Sequence, residues 1–121
     1  MSEKILHFTD LDAWRYGHEL AVAVYKVTEQ FPQKEIFGLT YQVRKSAVSV
    51  PSNIAEGFSR KTSKEKQHFY YISKGSLFEL QSQLLIARDI GFIKSSEYEV
   101  FEQKTETVCK LICGLIKDTK E

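Results

Sequence analysis

Cysteine, proline and glycine are all scarce in this chain. Two prolines and six glycines among 121 residues are too few turn formers for a fold of many short strands. Cys109 and Cys113 are the only cysteines and stand four apart. That is too few ligands for a zinc site and a strained geometry for a disulfide along one helix, so they read as reduced packing residues. No apolar stretch approaches the roughly 18 residues of a membrane span. The opening MSEKILHFTD lacks the charged-then-apolar layout of a signal peptide. The expectation is a cytoplasmic protein with no membrane role. Charge of one sign is missing too: 17 basic and 16 acidic residues leave +1, so no global field draws the chain to nucleic acid.

What is present is an ordinary globular composition, 42% hydrophobic and 27% charged, on a length that suits one domain with one core, residues 1–121. The charge is unevenly placed. Residues 1–43 and 75–121 each balance at −2, whereas residues 44–74 carry 7 basic and 2 acidic side chains, a balance of +5 centred on RKTSKEKQH at 60–68.

Period and punctuation predict four helices, at about 10–31, 39–60, 63–90 and 96–118. The first starts at Thr9-Asp10, with Phe8 set to staple onto Ala13, and stops before Pro32. The second repeats Val43, Ala47, Val50, Ile54 and Gly57. The third opens with Thr62 as cap and Glu65 reaching back, and ends at Gly91. The fourth starts at Ser95 or Ser96, with Glu99 completing a box, and steps through Tyr98, Phe101, Thr105, Val108, Ile112 and Leu115 as a heptad. Similar lengths and short loops imply an all-α, antiparallel up-down-up-down four-helix bundle. The third segment carries apolar residues (Leu77, Phe78, Leu80, Leu84, Leu85, Ala87) over about half its circumference, with Ile86 pointing elsewhere. Surface beyond the needs of one core implies association with another copy; scattered exposed hydrophobes are the plainer alternative.

Beside the apolar seam of the second segment lies a polar one: Gln42, Ser46, Ser49, Asn53 and Glu56. Ser76, Glu79 and Gln83 form its counterpart on the third. Polar groups beside a core need hydrogen bonds, since an unpaired one costs about 1–3 kcal/mol. Pro51 removes the amide that would bond the Ala47 carbonyl, so the second helix should kink there or continue with a local defect, read as a bent helix, and leave that carbonyl to a neighbouring donor. These residues read as a strip that fixes register, with a ligand site as the alternative.

Catalytic readings are thin. Glu65-x-x-His68 has the spacing used by di-iron bundles, but those need two copies and two further carboxylates; Glu65 already explains itself as a cap. Glu56 and Glu79 are conceivable as an acid/base pair, and more simply pair with Arg44, Arg88 or a serine. Glycine-rich phosphate loops, nucleophile elbows and diagnostic Cys/His pairs are absent. No enzyme activity, catalytic residue, metal or cofactor is expected.

The blocks EIFGLTYQVRKSAVSVPSNIAEGFSR and FYYISKGSLFELQSQLLIARDIGFI closely resemble the bacterial four helix bundle proteins encoded in intervening sequences of 23S ribosomal RNA genes. The accessory variability determinants of diversity-generating retroelements are related to that family. The likeness runs from about Trp14 to Ile93, and the block Asn53 to Gly57 is its most specific part. It implies a non-enzymatic homopentamer with a central channel that binds RNA, DNA or a nucleic-acid-handling partner through basic surfaces. Candidate contacts are Arg44, Lys45, Arg60, Lys61, Lys64, Lys66 and Lys74. Tyr70 and Tyr71 beside the basic turn are possible stacking groups; equally, the turn is simply solvated and Tyr70 packs inward. A scaffold that binds a protein partner through its acidic fourth helix or exposed ends is the competing reading.

Overall fold

The computed structural model describes residues 4–120. Among them are four long helices and no strand: α1 (Asp12–Thr28), α2 (Leu39–Ser59), α3 (Ser63–Asp89) and α4 (Ser95–Thr119), with 3-10 turns at Phe8–Asp10 and Gln33–Glu35. Each helix packs on the next in the chain, and α4 closes against α1. The result is the all-α four-helix bundle that the periodicity implies. Between α2 and α3, residue 49 meets 76, 50 meets 73 and 57 meets 70.

The helix ends show which local signals prevail. Asp10 does not open α1. Its carboxylate accepts the backbone N–H groups of Leu6 (3.2 Å) and His7 (3.0 Å) and closes the preceding 3-10 turn. Phe8 meets Trp14 edge-on, ring centres 5.2 Å apart. At its other end α1 stops at Thr28, four residues before Pro32. The Thr28 hydroxyl donates to the Val24 carbonyl (2.7 Å) and accepts from Arg44 Nε (2.8 Å), which ties this end to α2.

The helix α2 runs unbroken through Pro51. The side-chain proton delivered nearby comes from Ser73 and goes to the Val50 carbonyl (2.7 Å), not to that of Ala47. Thr62 caps α3, its hydroxyl accepting from the Glu65 amide at 3.1 Å. Gly91 ends α3 with φ +86°; the Phe92 amide reaches the Ala87 carbonyl (2.8 Å) and the Gly91 amide that of Arg88 (3.1 Å). That pair of bonds is a Schellman motif, whose left-handed residue favours glycine. The box at the head of α4 sits at Lys94, whose amide donates to Glu97 Oε1 (2.8 Å), rather than at Ser95 or Ser96 with Glu99.

The core is the predicted one with small shifts. Val43, Ala47, Val50, Ile54 and Gly57 of α2 are all buried, as are Leu77, Leu80, Leu84 and Ala87 of α3. Each large aliphatic side chain so enclosed contributes about 1.5–3 kcal/mol. On α4 the buried seam is Tyr98, Phe101, Thr105, Val108, Ile112 and Ile116. Ile116 replaces the expected Leu115 because a straight helix of 3.6 residues per turn drifts away from a 3.5-residue repeat.

Candidate functional site

The polar strip becomes a hydrogen-bonded joint at its centre and a cleft at one end. Ser49 and Ser76 hydroxyls lie 2.7 Å apart across α2 and α3. Asn53 Nδ2 donates to the Ser49 carbonyl (2.8 Å) and hydroxyl (2.9 Å). Ser46 and Ser76 are buried, while Gln42, Glu56 and Glu79 are exposed. Ser73, fully buried and absent from the predicted strip, adds the bond to Val50. Its place three residues before Ser76 is the signal that would have found it. Towards the start of α2 the strip widens into a cleft of about 480 Å³, walled by Phe37, Tyr41, Lys45, Ser46, Glu79 and Gln83.

Gly57 explains the end of the Asn53–Gly57 block. A Cβ there would sit 2.6 Å from Tyr70 Cε1 and 2.9 Å from Cδ1, so only glycine lets the Tyr70 ring seat between α2 and α3. Tyr70 is buried, and burial pushes its phenol pKa up. It packs inward and cannot stack on a base; Tyr71 is exposed.

The seven basic candidates do not form one patch. Arg44 leans on Tyr25, its guanidinium 4.8 Å from the ring centre, while bonded to Thr28. Arg60 pairs with Glu56 (3.5 Å) and covers Phe69 at 4.7 Å. Lys66 Nζ donates to the Phe58 carbonyl at 2.8 Å, capping the end of α2. Lys74 is half-buried on α3. Lys61 and Lys64 at the α2–α3 turn and Lys45 at the cleft are exposed. Each of these three ammonium groups is without an ion pair among the described residues.

Of the partners expected for these carboxylates, Glu56 finds a serine hydroxyl but neither Arg44 nor Arg88. Glu56 takes Arg60 and the Ser59 hydroxyl (3.2 Å), whereas Arg88 turns to Asp89 (2.9 Å). Glu65 accepts from the Thr62 hydroxyl at 3.1 Å, and His68 lies exposed against Phe69. No three His, Cys, Asp or Glu side chains among the described residues converge as metal ligands. Cys109 is half-buried and Cys113 exposed, both unbridged; burial pushes the Cys109 thiol pKa up.

Two apolar surfaces remain. The outward side of α3 exposes Tyr71, Phe78 and Ile86, with Gly75 and Ser82 between them at steps of four, three, four and four. A Cβ added at Gly75 meets nothing within 4 Å. Phe78, expected among the apolar half of this helix, is 51% exposed, and Leu85 is half-buried. The second surface is a groove of about 670 Å³ between α1 and α2, lined by Trp14, Val22, Tyr25, Val48 and Ala55.

Residues 9–114 match the family described as 23S rRNA-intervening sequence protein. The chain belongs to that family. A similar solved structure is a protein of unknown function from the S23 ribosomal protein family of Bacteroides thetaiotaomicron, 19% identical. The alignment covers 87% of this chain and 98% of that one, with a TM-score of 0.80, so the likeness is one of fold. No curated protein matches the chain. Membership of the intervening-sequence family supplies no catalytic assignment. No helix among the described residues is long and apolar enough to cross a membrane.

Proposed function

We propose that this intervening-sequence family protein is a non-enzymatic, self-associating bundle of the cytoplasm whose copies present basic side chains to RNA or DNA. The observation that carries the reading is the outward side of α3. Tyr71 and Phe78 stand half-exposed around Gly75, with Ile86 about two turns beyond Phe78, and a mid-helix glycine costs about 1 kcal/mol relative to alanine. Nothing in a single bundle needs that glycine, because the space above it is open. A helix of another copy crossing there would use the close approach it permits. The α1–α2 groove, on a different side, supplies an apolar surface of another shape. Two unlike faces favour head-to-tail contact, which closes into a ring when the rotation allows. Five copies is the number that the family resemblance suggests.

Assembly would repeat Lys45, Lys61 and Lys64 on every copy and turn weak phosphate contacts into avidity. Sedimentation at micromolar concentration tests the first half: a stable single chain overturns it. Anisotropy titrations of structured RNA and duplex DNA at two salt concentrations test the second, since phosphate binding weakens steeply with salt. No binding at low salt leaves the alternative, a scaffold for a protein partner. The engagement of Arg44, Arg60 and Lys66 in contacts within the chain favours that alternative.

A further inference from the structure

The cleft between the start of α2 and the middle of α3 carries chemistry that the fold itself leaves unused. Its volume, about 480 Å³, falls in the roughly 300–1,000 Å³ range of small-ligand sites. Phe37 stands at its mouth, 91% exposed, where a large apolar ring stabilises nothing in the bundle. Tyr41 beside it is also exposed. On the α3 wall the Gln83 amide oxygen is buried with no donor, an unmet bond that a turn of the amide resolves by bringing the oxygen to the cleft and to an incoming donor. Glu79 adds an exposed carboxylate without an ion pair among the described residues. Lys45 stands on the opposite wall, and Ser46, 6% exposed, lines the cleft between them.

Aromatic rings at the mouth, two acceptors on one wall and a cation on the other match one ligand class. We infer that the cleft receives a single unpaired nucleotide of a bound strand. Phe37 and Tyr41 stack on the base, Glu79 and Gln83 accept from its exocyclic amino group, and Lys45 holds its phosphate. Stacking on exposed aromatics is the usual way single strands are gripped. Carboxylate and glutamine acceptors select bases with an exocyclic amino group, cytosine, adenine and guanine, over uracil, which has none. This inference rests on the nucleic-acid reading above and places the recognition in the α2–α3 cleft, whereas the basic turn only positions the backbone.

The test uses short fluorescent single-stranded homopolymers of cytidine, adenosine and uridine at low salt, followed by anisotropy, with sedimentation of every protein in parallel. The wild-type chain is expected to bind the cytidine or adenosine strand about tenfold more tightly than the uridine strand. Phe37→Ala removes an exposed ring that the fold does not need, and should weaken all strands about fivefold or more. Gln83→Leu should erase much of the preference while sparing uridine binding. Lys45→Ala should lower the salt slope by about one. Wild-type binding that is equal for all three strands, or unchanged in Phe37→Ala and Gln83→Leu, overturns the cleft while leaving the nucleic-acid reading intact. A change in sedimentation on Phe37→Ala also overturns it, because the cleft is then covered by another copy. If the wild-type chain binds no strand, structured RNA or duplex at low salt, the nucleic-acid reading falls and the cleft assignment with it.

Discussion

The outward sides of α3 and α4 differ in kind although both helices are long and contribute a regular inner seam. On α4 that side carries Gln103, Thr107, Lys110, Gly114 and Lys117, all exposed, with Val100 the large apolar residue exposed on that helix among the described residues. On α3 it carries Tyr71, Phe78 and Ile86, with Ile72 and Ile90 flanking. Both sides hold a glycine whose added Cβ would meet nothing within 4 Å, Gly75 on one and Gly114 on the other. Around Gly114 the exposed neighbours are Lys110, Lys117 and Asp118; around Gly75 they are Tyr71, Ile72 and Phe78, with Glu79 the one charged group. A helix solvated on its outer side needs only one stripe, and α4 has one. The second stripe on α3 is what distinguishes a helix with work on both sides.

The largest expected effect breaks this contrast directly. Phe78→Asp with Ile86→Asp should reduce the sedimenting species to single chains. The paired control on α4, Gln103→Asp with Lys110→Asp, should leave the assembly as it was. If both pairs behave alike, the outward side of α3 is ordinary surface. Next comes the inner side of α3. Gly57→Ala forces a methyl into the Tyr70 ring and should lower stability by about 1–3 kcal/mol in urea titration, despite the helix propensity it gains. Gly75→Leu and Gly114→Leu sharpen the comparison. Each should favour its own helix by up to about 1 kcal/mol, read by thermal unfolding of single chains, but Gly75→Leu alone should weaken association.

The smallest effect lies at the head of α4. Glu97 accepts from the Lys94 amide and from Gln30 Nε2 (3.2 Å), which lowers its pKa below the ordinary 4.5. A carboxyl depressed in the folded state stabilises above its unfolded value, and that contribution is lost as the pH falls through the folded one. Glu97→Ala should therefore lower the melting temperature by a few degrees at neutral pH, with the difference from wild type shrinking below about pH 4.

Most of the architecture was readable from periodicity, because apolar spacing reports the face that a helix buries. The whole α2 seam, from Val43 to Gly57, was legible in this way. The ends were less so. Thr9-Asp10 is a helix-start signal, yet in the structure Asp10 accepts from the Leu6 and His7 amides behind it and closes a separate turn; a short carboxylate can accept from either side, and local sequence does not choose between them. Partners of charged residues were only partly legible: Arg44 bonds Thr28 and leans on Tyr25, which only tertiary packing brings near, whereas Arg88 takes the adjacent Asp89, one of several carboxylates the sequence offers it. Tyr70 was ambiguous for the same reason: the notch at Gly57 that receives it lies on another helix. Phe37 and Tyr41 as walls of the α2–α3 cleft were not legible, because neither belongs to a periodic seam.

The serine joint also has a consequence for motion. Ser49–Ser76, Asn53–Ser49 and Ser73–Val50 bind the middle of α2 to the middle of α3, with Tyr70 locked over Gly57 farther along. Opening either helix there exposes several polar groups and a buried ring at once, so these two should open together and last. Amide exchange should be slowest near Val50 to Ile54 and Ser73 to Leu80, with α1, shorter and ended by a turn at Thr28, releasing first.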